Sequence, residues 1–288
     1  MEQKKTVAVV IPARNEAKSI VQVLNSLKNQ TVLPKVVVVV DDGSRDTTPE
    51  VLKSYHSAQY HLIIKERPER IGGRSLVGTP EIANTFNKGF EEANKAQCDY
   101  ILIIGADILL EPQYIEKMLL EFSRDPSLAI ASGHTLRITA NPSHARGAGR
   151  LIDSRFWKFY GGKYPPIYGW EDDCLMQCRR MGLKVKHFSH ILYDTVRKPQ
   201  GTIDFMNWGR AARAMRYHPV SAALRGIRFL LFQKYGLKNT VRFFAGYFVN
   251  PPREIISRTQ RQNRDFMRRY QVRQIPEKIS SILTRKLT

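Results

Sequence analysis

The sequence predicts an α/β fold: a mostly parallel, doubly wound sheet flanked by helices, followed by a basic helical appendage. Two kinds of segment carry that prediction. KVVVVVDDGS (35–44) and YILIIGAD (100–107) are unbroken apolar runs rather than alternating ones, so both faces of those strands need covering. Amphipathic helical patterns lie between such runs, the order that builds parallel sheets. A 42% hydrophobic content in 288 residues is enough to fill the resulting core.

The elements follow in order. TVAVVIP (6–12) reads as the first strand, and AKSIVQVLNSLKNQ (17–30) as a helix, with apolar residues at 20, 21, 24 and 27 on one face. The strand at 35–44 completes a βαβ unit. EIANTFNKGFEEANK (81–95) reads as a helix, 100–107 as a strand, and PQYIEKMLLEFSRD (112–125) as a helix with Pro112 in its first turn, where a missing N–H is harmless. Residues 1–200 are expected to form this α/β domain and residues 201–288 a separate helical region.

Charge divides the chain in nearly the same place. Residues 1–196 carry 26 Lys and Arg against 22 Asp and Glu, or +4, whereas residues 197–288 carry 20 against 4, or +16. An acidic partner would therefore meet the last third. No run of about 18 apolar residues occurs, and the N-terminus passes from lysines straight into a strand, so neither export nor a spanning helix is expected. Cys98, Cys174 and Cys178 form no CxxC, which fits reduced, packed thiols of a cytosolic protein.

In doubly wound sheets ligands bind beyond the carboxyl ends of the strands. This chain places polar clusters there: PARNE (12–16), DDGSRDTT (41–48) and GAD (105–107). Each has an ordinary explanation, since Asp42-Gly43 is turn chemistry and a lone acid often caps a helix. Three on one rim point to a ligand site. A further acidic cluster opens YGWEDDCLMQCRRMG (168–182), where it also suits the first turn of a helix.

Taken together, these segments resemble an inverting family 2 glycosyltransferase of the GT-A fold, over roughly residues 6 to 195. IPARNEAKSI resembles the family's first loop, VVVDDGSRDTT its second, GAD a D-x-D in which Gly105 replaces the first Asp, and the EDD its acceptor-side E-D pair. The resemblance implies transfer of a sugar from a UDP- or GDP-sugar with inversion. It assigns Pro12, Ala13 and Arg14 to the base and ribose, Glu16 to the ribose, and Asp42 to the N–H edge of the base, which uracil and guanine both offer. Arg70 and Arg74 would face the nucleotide, and Ala106 and Asp107 the donor. Asp107 would hold Mn²⁺ or Mg²⁺, with either Asp194 or His190 as a further ligand. Asp172 would be the base, beside Glu171, with Trp170 on the acceptor side.

The chemistry asks for these types: a carboxylate to take the acceptor's proton and positive charge to meet the leaving diphosphate. VSAALRGIRFLLFQKYG (220–236) carries apolar residues at 220, 224, 227, 231 and 235, with Phe229, Leu230 and Phe232 to the sides among Arg225 and Arg228. RFFAGYFVNPPR (242–253) repeats the pattern. These helices suit either an anionic membrane surface, with a lipid-linked acceptor at its cytoplasmic face, or packing within the fold or a dimer. The tail from Arg258 to Thr288 is expected to be partly helical. Two other classes fit the sequence less well. A nucleotidyltransferase usually has a Gly-rich basic loop after its first strand, which PARNE is not. A nucleic-acid binder fits the basic third but not the carboxylates at the strand ends.

Overall fold

The computed structural model describes residues 5–70, 73, 76, 78–135, 147–196, 204–231, 235–249 and 254–284. They belong to two compact units. One comprises Met1–Ser75, Ala83–Tyr164 and Met181–Gln200, and the other Leu76–Ile82, Pro165–Arg180 and Gly201–Thr288.

The first unit contains β1 (Val7–Ala13), α1 (Ile20–Lys28), β2 (Val36–Asp41), α2 (Thr48–Ser54), β3 (His61–Glu66), a 3₁₀ turn (Pro68–Arg70), and α3 (Ile82–Lys95). It continues with β4 (Tyr100–Ile103), β5 (Ile108–Leu110), α4 (Tyr114–Arg124), β6 (Leu128–His134), β7 (Arg150–Asp153), α5 (Ser154–Tyr160) and β8 (Lys184–Thr195). The eight strands form one sheet in the order β3-β2-β1-β4-β7-β6-β8-β5. Of its seven pairings four are parallel, and β7 and β5 are inserted antiparallel, so the sheet is mixed but mostly parallel.

The all-valine character of β2 follows from its place. Every residue from Val36 to Asp41 is buried, because β2 lies between β1 and β3 with helices on both faces. Val37 and Val39 join Val9 and Ile11 in a core closed by Ile20, Val23, Leu24 and Leu27 of α1. Full burial of each such side chain is worth roughly 1.5–3 kcal/mol. The opposite face meets α3 at Gly89, where a Cβ would lie 2.5 Å from Val10 Cγ1 and 3.1 Å from Val40 Cγ2. Only glycine lets α3 seat that deeply.

The apolar run from residue 100 divides. β4 ends at Ile103, Ile104 still donates to the Val10 carbonyl (3.2 Å), and residues 105–108 turn, with Ile108 N–H donating to the Gly105 carbonyl (3.1 Å). Ile108–Leu110 then pairs with β8 at the far edge of the sheet. The expected single strand 100–107 is thus shorter, because Gly105 and Asp107 supply a turn inside an otherwise apolar run.

The second unit is helical: α6 (Trp170–Arg180), α7 (Phe205–Ala214), α8 (Pro219–Leu231), α9 (Gly236–Phe248) and α10 (Arg258–Thr284). α7 and α9 touch backbone to backbone. A Cβ on Gly209 would lie 2.0 Å from the Phe243 carbonyl oxygen, and one on Gly246 2.0 Å from that of Met206. α8 buries Ser221, Ala222, Gly226 and Phe229. Phe229 sits with ring centroids 5.2–5.5 Å from Phe205, Trp208, Tyr235 and Phe243.

That arrangement corrects the reading of Phe229 as a flank of an outward surface: it and Phe243 are core, at 2% and 0% exposure. The stripe at 220, 227 and 231 is the outward one, with exposures of 41%, 39% and 49%. Arg225 is accommodated in the helical unit because its guanidinium lies over the Trp208 and Tyr217 rings, 5.2 and 5.1 Å from their centroids. Phe232 lies outside the described residues. Among the described residues no helix is long and apolar enough to cross a membrane, and the three cysteines are buried and unbridged.

Candidate active site

Since β2 and β4 both run parallel to β1, their carboxyl ends share one rim. Two of the polar loops on that rim are stitched together. Asn15, at a positive φ of 55°, donates its N–H to Ser44 Oγ (2.9 Å) and accepts from Arg45 N–H at Oδ1 (2.8 Å). Asp41 Oδ1 accepts from the Ser44 N–H (3.0 Å) and hydroxyl (2.6 Å), closing a turn whose Gly43 has a φ of 72°. Glu16 is buried and accepts from Ser19 Oγ (2.6 Å), while its N–H donates to Thr48 Oγ1 (2.8 Å).

Asp42 is buried at 3% exposure, so its charge needs partners. Its Oδ1 lies 2.9 Å from Arg67 Nη1, 3.1 Å from the Thr85 hydroxyl and 3.7 Å from Arg70 Nε. None of these contacts involves Oδ2. Arg14 donates from Nη1 to the Asp42 carbonyl and from Nη2 to the Gly73 carbonyl, joining the second loop to the segment after β3. Pro12 and Ala13 pair with Val40 and Asp41 at the end of the ladder. Arg74 lies outside the described residues.

Ala106 is buried and Asp107 half-buried in the turn after β4. A Cβ on Gly105 would come 3.1 Å from Asp107 Oδ1, so an acid at the replaced position would crowd this carboxylate. The Asp107 carbonyl accepts from Val196 N–H (2.8 Å), which ties the turn to the end of β8. Asp194 is opposite Leu109 on that strand and exposed, whereas His190 lies 3.6 Å from Glu121 of α4. Among the described residues no three His, Cys, Asp or Glu side chains gather to hold a metal. A lone hard carboxylate fits a cation whose remaining ligands are phosphate oxygens and water.

In the second unit the three consecutive acids of α6 are separated by their surroundings. Gly169 precedes them at a φ of 76°, and its carbonyl accepts the Asp173 N–H (2.8 Å). Asp173 is buried at 1% exposure and held by Asn263 Nδ2 of α10 (3.1 Å). Asp172 is half-buried and accepts the Tyr217 hydroxyl at Oδ2 (3.0 Å). Burial, then the Asp172 carboxylate, push the Tyr217 hydroxyl's pKa up while Arg225 pulls it down, so at neutral pH the phenol is a donor. Trp170 and Glu171 occupy the same first turn, half-buried.

Sequence reasoning missed Arg67, Thr85, Tyr217 and Asn263. Arg67 had a signal, since it directly follows the last residue of β3, Glu66, at the same rim. Tyr217 had none, because it reaches Asp172 from 45 residues away.

The family model for glycosyl transferase family 2 matches residues 8–184. A chondroitin synthase from Pasteurella multocida is 28% identical over 212 residues, covering 66% of this chain and 20% of its own length. One from Escherichia coli is 33% identical over 155 residues, 54% of this chain and 20% of its length. The chain thus spans about a fifth of these relatives. Among solved structures, S. aureus TarS 1-349 in complex with UDP aligns at a TM-score of 0.56 and 16% identity, covering 80% of this chain and 74% of that one. The mannosyltransferase PcManGT from Pyrobaculum calidifontis, in complex with GDP-Man and Mn²⁺, aligns at 0.57 and 18%, covering 87% and 78%. At these identities the likeness is one of fold. With its model matched over more than half of its length, on a GT-A-like sheet, the chain belongs to glycosyl transferase family 2.

Proposed function

We propose that the protein is an inverting glycosyltransferase that moves a sugar from a UDP- or GDP-sugar to a lipid-linked acceptor at the cytoplasmic face of a membrane. The observation that carries this reading is the rim of the first unit, where Asp42 stands at the end of β2 on a loop that Asn15 and Arg14 tie to the end of β1, and Asp107 stands in the turn after β4. The nucleoside diphosphates present in two similarly folded proteins support the same class of donor.

Asp42 Oδ2 accepts the N–H of the base while Arg67 holds Oδ1. Pro12, Ala13, Arg14 and Glu16 line the base and ribose, and Arg70 and Arg74 serve the nucleotide. A divalent cation on Asp107, with Asp194 as a further ligand, would supply positive charge beside the departing diphosphate. Asp172, anchored at Oδ2 by Tyr217, takes the acceptor's proton at Oδ1 as its oxygen attacks the anomeric carbon and the bond to the diphosphate breaks. Glu171 aligns the acceptor and Trp170 gives it an apolar wall. A single displacement inverts the configuration. The +16 charge of residues 197–288 and the outward stripe on α8 support a peripheral site of action.

The experiment is turnover with a panel of UDP- and GDP-sugars, Mn²⁺ and candidate acceptors, with the product anomer read by NMR. Asp172→Asn keeps the shape and removes the base, so turnover should fall roughly 10²- to 10⁴-fold with donor binding retained. Near-normal turnover in that variant refutes the base and points to an acceptor phosphate that is already nucleophilic. A retained anomeric configuration refutes the single displacement.

A further inference from the structure

α8 is apolar on two sides, and only one of them is used inside the helical unit. At 100° per residue, Ser221, Ala222, Gly226 and Phe229 lie on one side and are buried. Val220, Ile227 and Leu231 lie on the opposite side at 41%, 39% and 49% exposure, with half-buried Leu224 among them. Arg228 falls at one border of this stripe, whereas Arg225 lies on the buried side, between Ser221 and Phe229. A helix that merely faced water would not need branched aliphatic residues at four successive turn positions.

The border of the stripe is cationic. Behind it, on the buried side, Arg225 is fixed over two aromatic rings. Lys278 comes from α10, which packs on α8. Burial, followed by the charges of Arg225 and Arg228, lowers the Lys278 pKa to about 8, with Glu277 acting weakly in the other direction. Among the described residues neither Arg225 nor Lys278 has a carboxylate within ion-pair distance. Like charges brought together repel one another, and an external anion relieves that repulsion.

We propose that this side of α8 is the surface by which the protein docks on an anionic bilayer. Lipid phosphates sit at Arg228 and Lys278, while Val220, Leu224, Ile227 and Leu231 enter the acyl boundary. The inference deepens the peripheral-membrane reading above and rests on it. The occupant is a lipid leaflet rather than a second copy of the chain, because a unit of such positive charge repels its own copy and attracts phosphate.

The test is flotation of the full chain with phosphatidylglycerol/phosphatidylcholine vesicles and with phosphatidylcholine alone. Wild type is expected to float with the anionic vesicles. Arg228→Gln with Lys278→Gln should weaken partitioning roughly 30-fold, at about fivefold per cation. Ile227→Ser with Leu231→Ser should weaken it by roughly tenfold or more. These residues are partly exposed, so both variants should keep the wild-type circular dichroism melt. Wild type remaining at the bottom of the gradient, or both variants floating like wild type, overturns the proposal. Release by inorganic phosphate beyond a chloride control of equal ionic strength also overturns it, because the cluster is then a site for soluble phosphate. Donor binding measured on the same samples keeps the two readings apart. If no nucleotide-sugar binds wild type, the transferase reading fails while flotation still judges the surface.

Discussion

The strand-end rim of the first unit and the helices of the second are both rich in charge and apolar side chains, yet they were unequally legible. On the rim, a carboxylate that ends an apolar strand has few options. Asp42 must be paired because it is buried, and Asp107 is placed by the turn between β4 and β5. The backbone of a parallel sheet fixes where such residues emerge. On α8 no comparable constraint exists, because apolar residues occur on both sides, and periodicity does not say which side faces in. The small residues do. Ser221, Ala222 and Gly226 mark the buried face, as Gly209 and Gly246 mark the contact of α7 with α9. Close helix packing selects small side chains, whereas a surface for lipid or solvent has no such need.

The sharpest way to break this comparison is to exchange the two faces of α8. Phe229→Ala should cost about 3–5 kcal/mol in urea unfolding, as for a buried aromatic, whereas Ile227→Ser should cost no more than about 0.5 kcal/mol. Equal costs would mean that the face assignment is wrong. On the rim, Arg67→Met removes the closest partner of a buried carboxylate and should cost about 3 kcal/mol, with nucleotide binding lost alongside. A stable Arg67→Met protein that binds nucleotide as wild type does would make the Asp42 pair incidental.

A smaller effect belongs to the hydrogen bond between the helical unit's loop and its acid. Tyr217→Phe leaves the ring and removes the donor to Asp172, so turnover should drop roughly tenfold with the donor KM unchanged. An unchanged kcat would reduce Tyr217 to packing. The smallest concerns acid stability. Burial raises the pKa of Asp46, but hydrogen bonds from the Thr48 hydroxyl, the Thr48 N–H and the Ala17 N–H more than offset this and hold it below its usual 3.8. With the folded value depressed, the carboxylate's contribution is full above about pH 4 to 5 and is lost as pH falls through the lower folded value. Asp46→Asn should therefore flatten the acid limb of the stability curve, by less than about 1 kcal/mol at this exposed position. A steeper acid limb in the variant would reverse the sign of that account.

The sheet class, the first βαβ unit and the three rim clusters could be read from the chain because valine runs and turn residues act locally. The elements that escaped reading depend on partners distant in sequence. β7 enters antiparallel between β4 and β6, and β5 is three residues cut from an apolar run by a two-residue signal at Gly105 and Asp107. The EDD cluster could be seen, but not its division of labour. Asp173 is taken by Asn263 of α10 and Asp172 by Tyr217 of the turn between α7 and α8.

The measurement that bears most directly on the central claim is calorimetric titration of UDP and GDP into wild type and Asp107→Ala, with Mn²⁺ and with EDTA. The account predicts that one of the two nucleotides binds wild type in Mn²⁺, that EDTA weakens it, and that Asp107→Ala removes the difference between Mn²⁺ and EDTA while the fold is kept. Identical affinity in all four conditions, or no binding of either nucleotide to wild type, would contradict it.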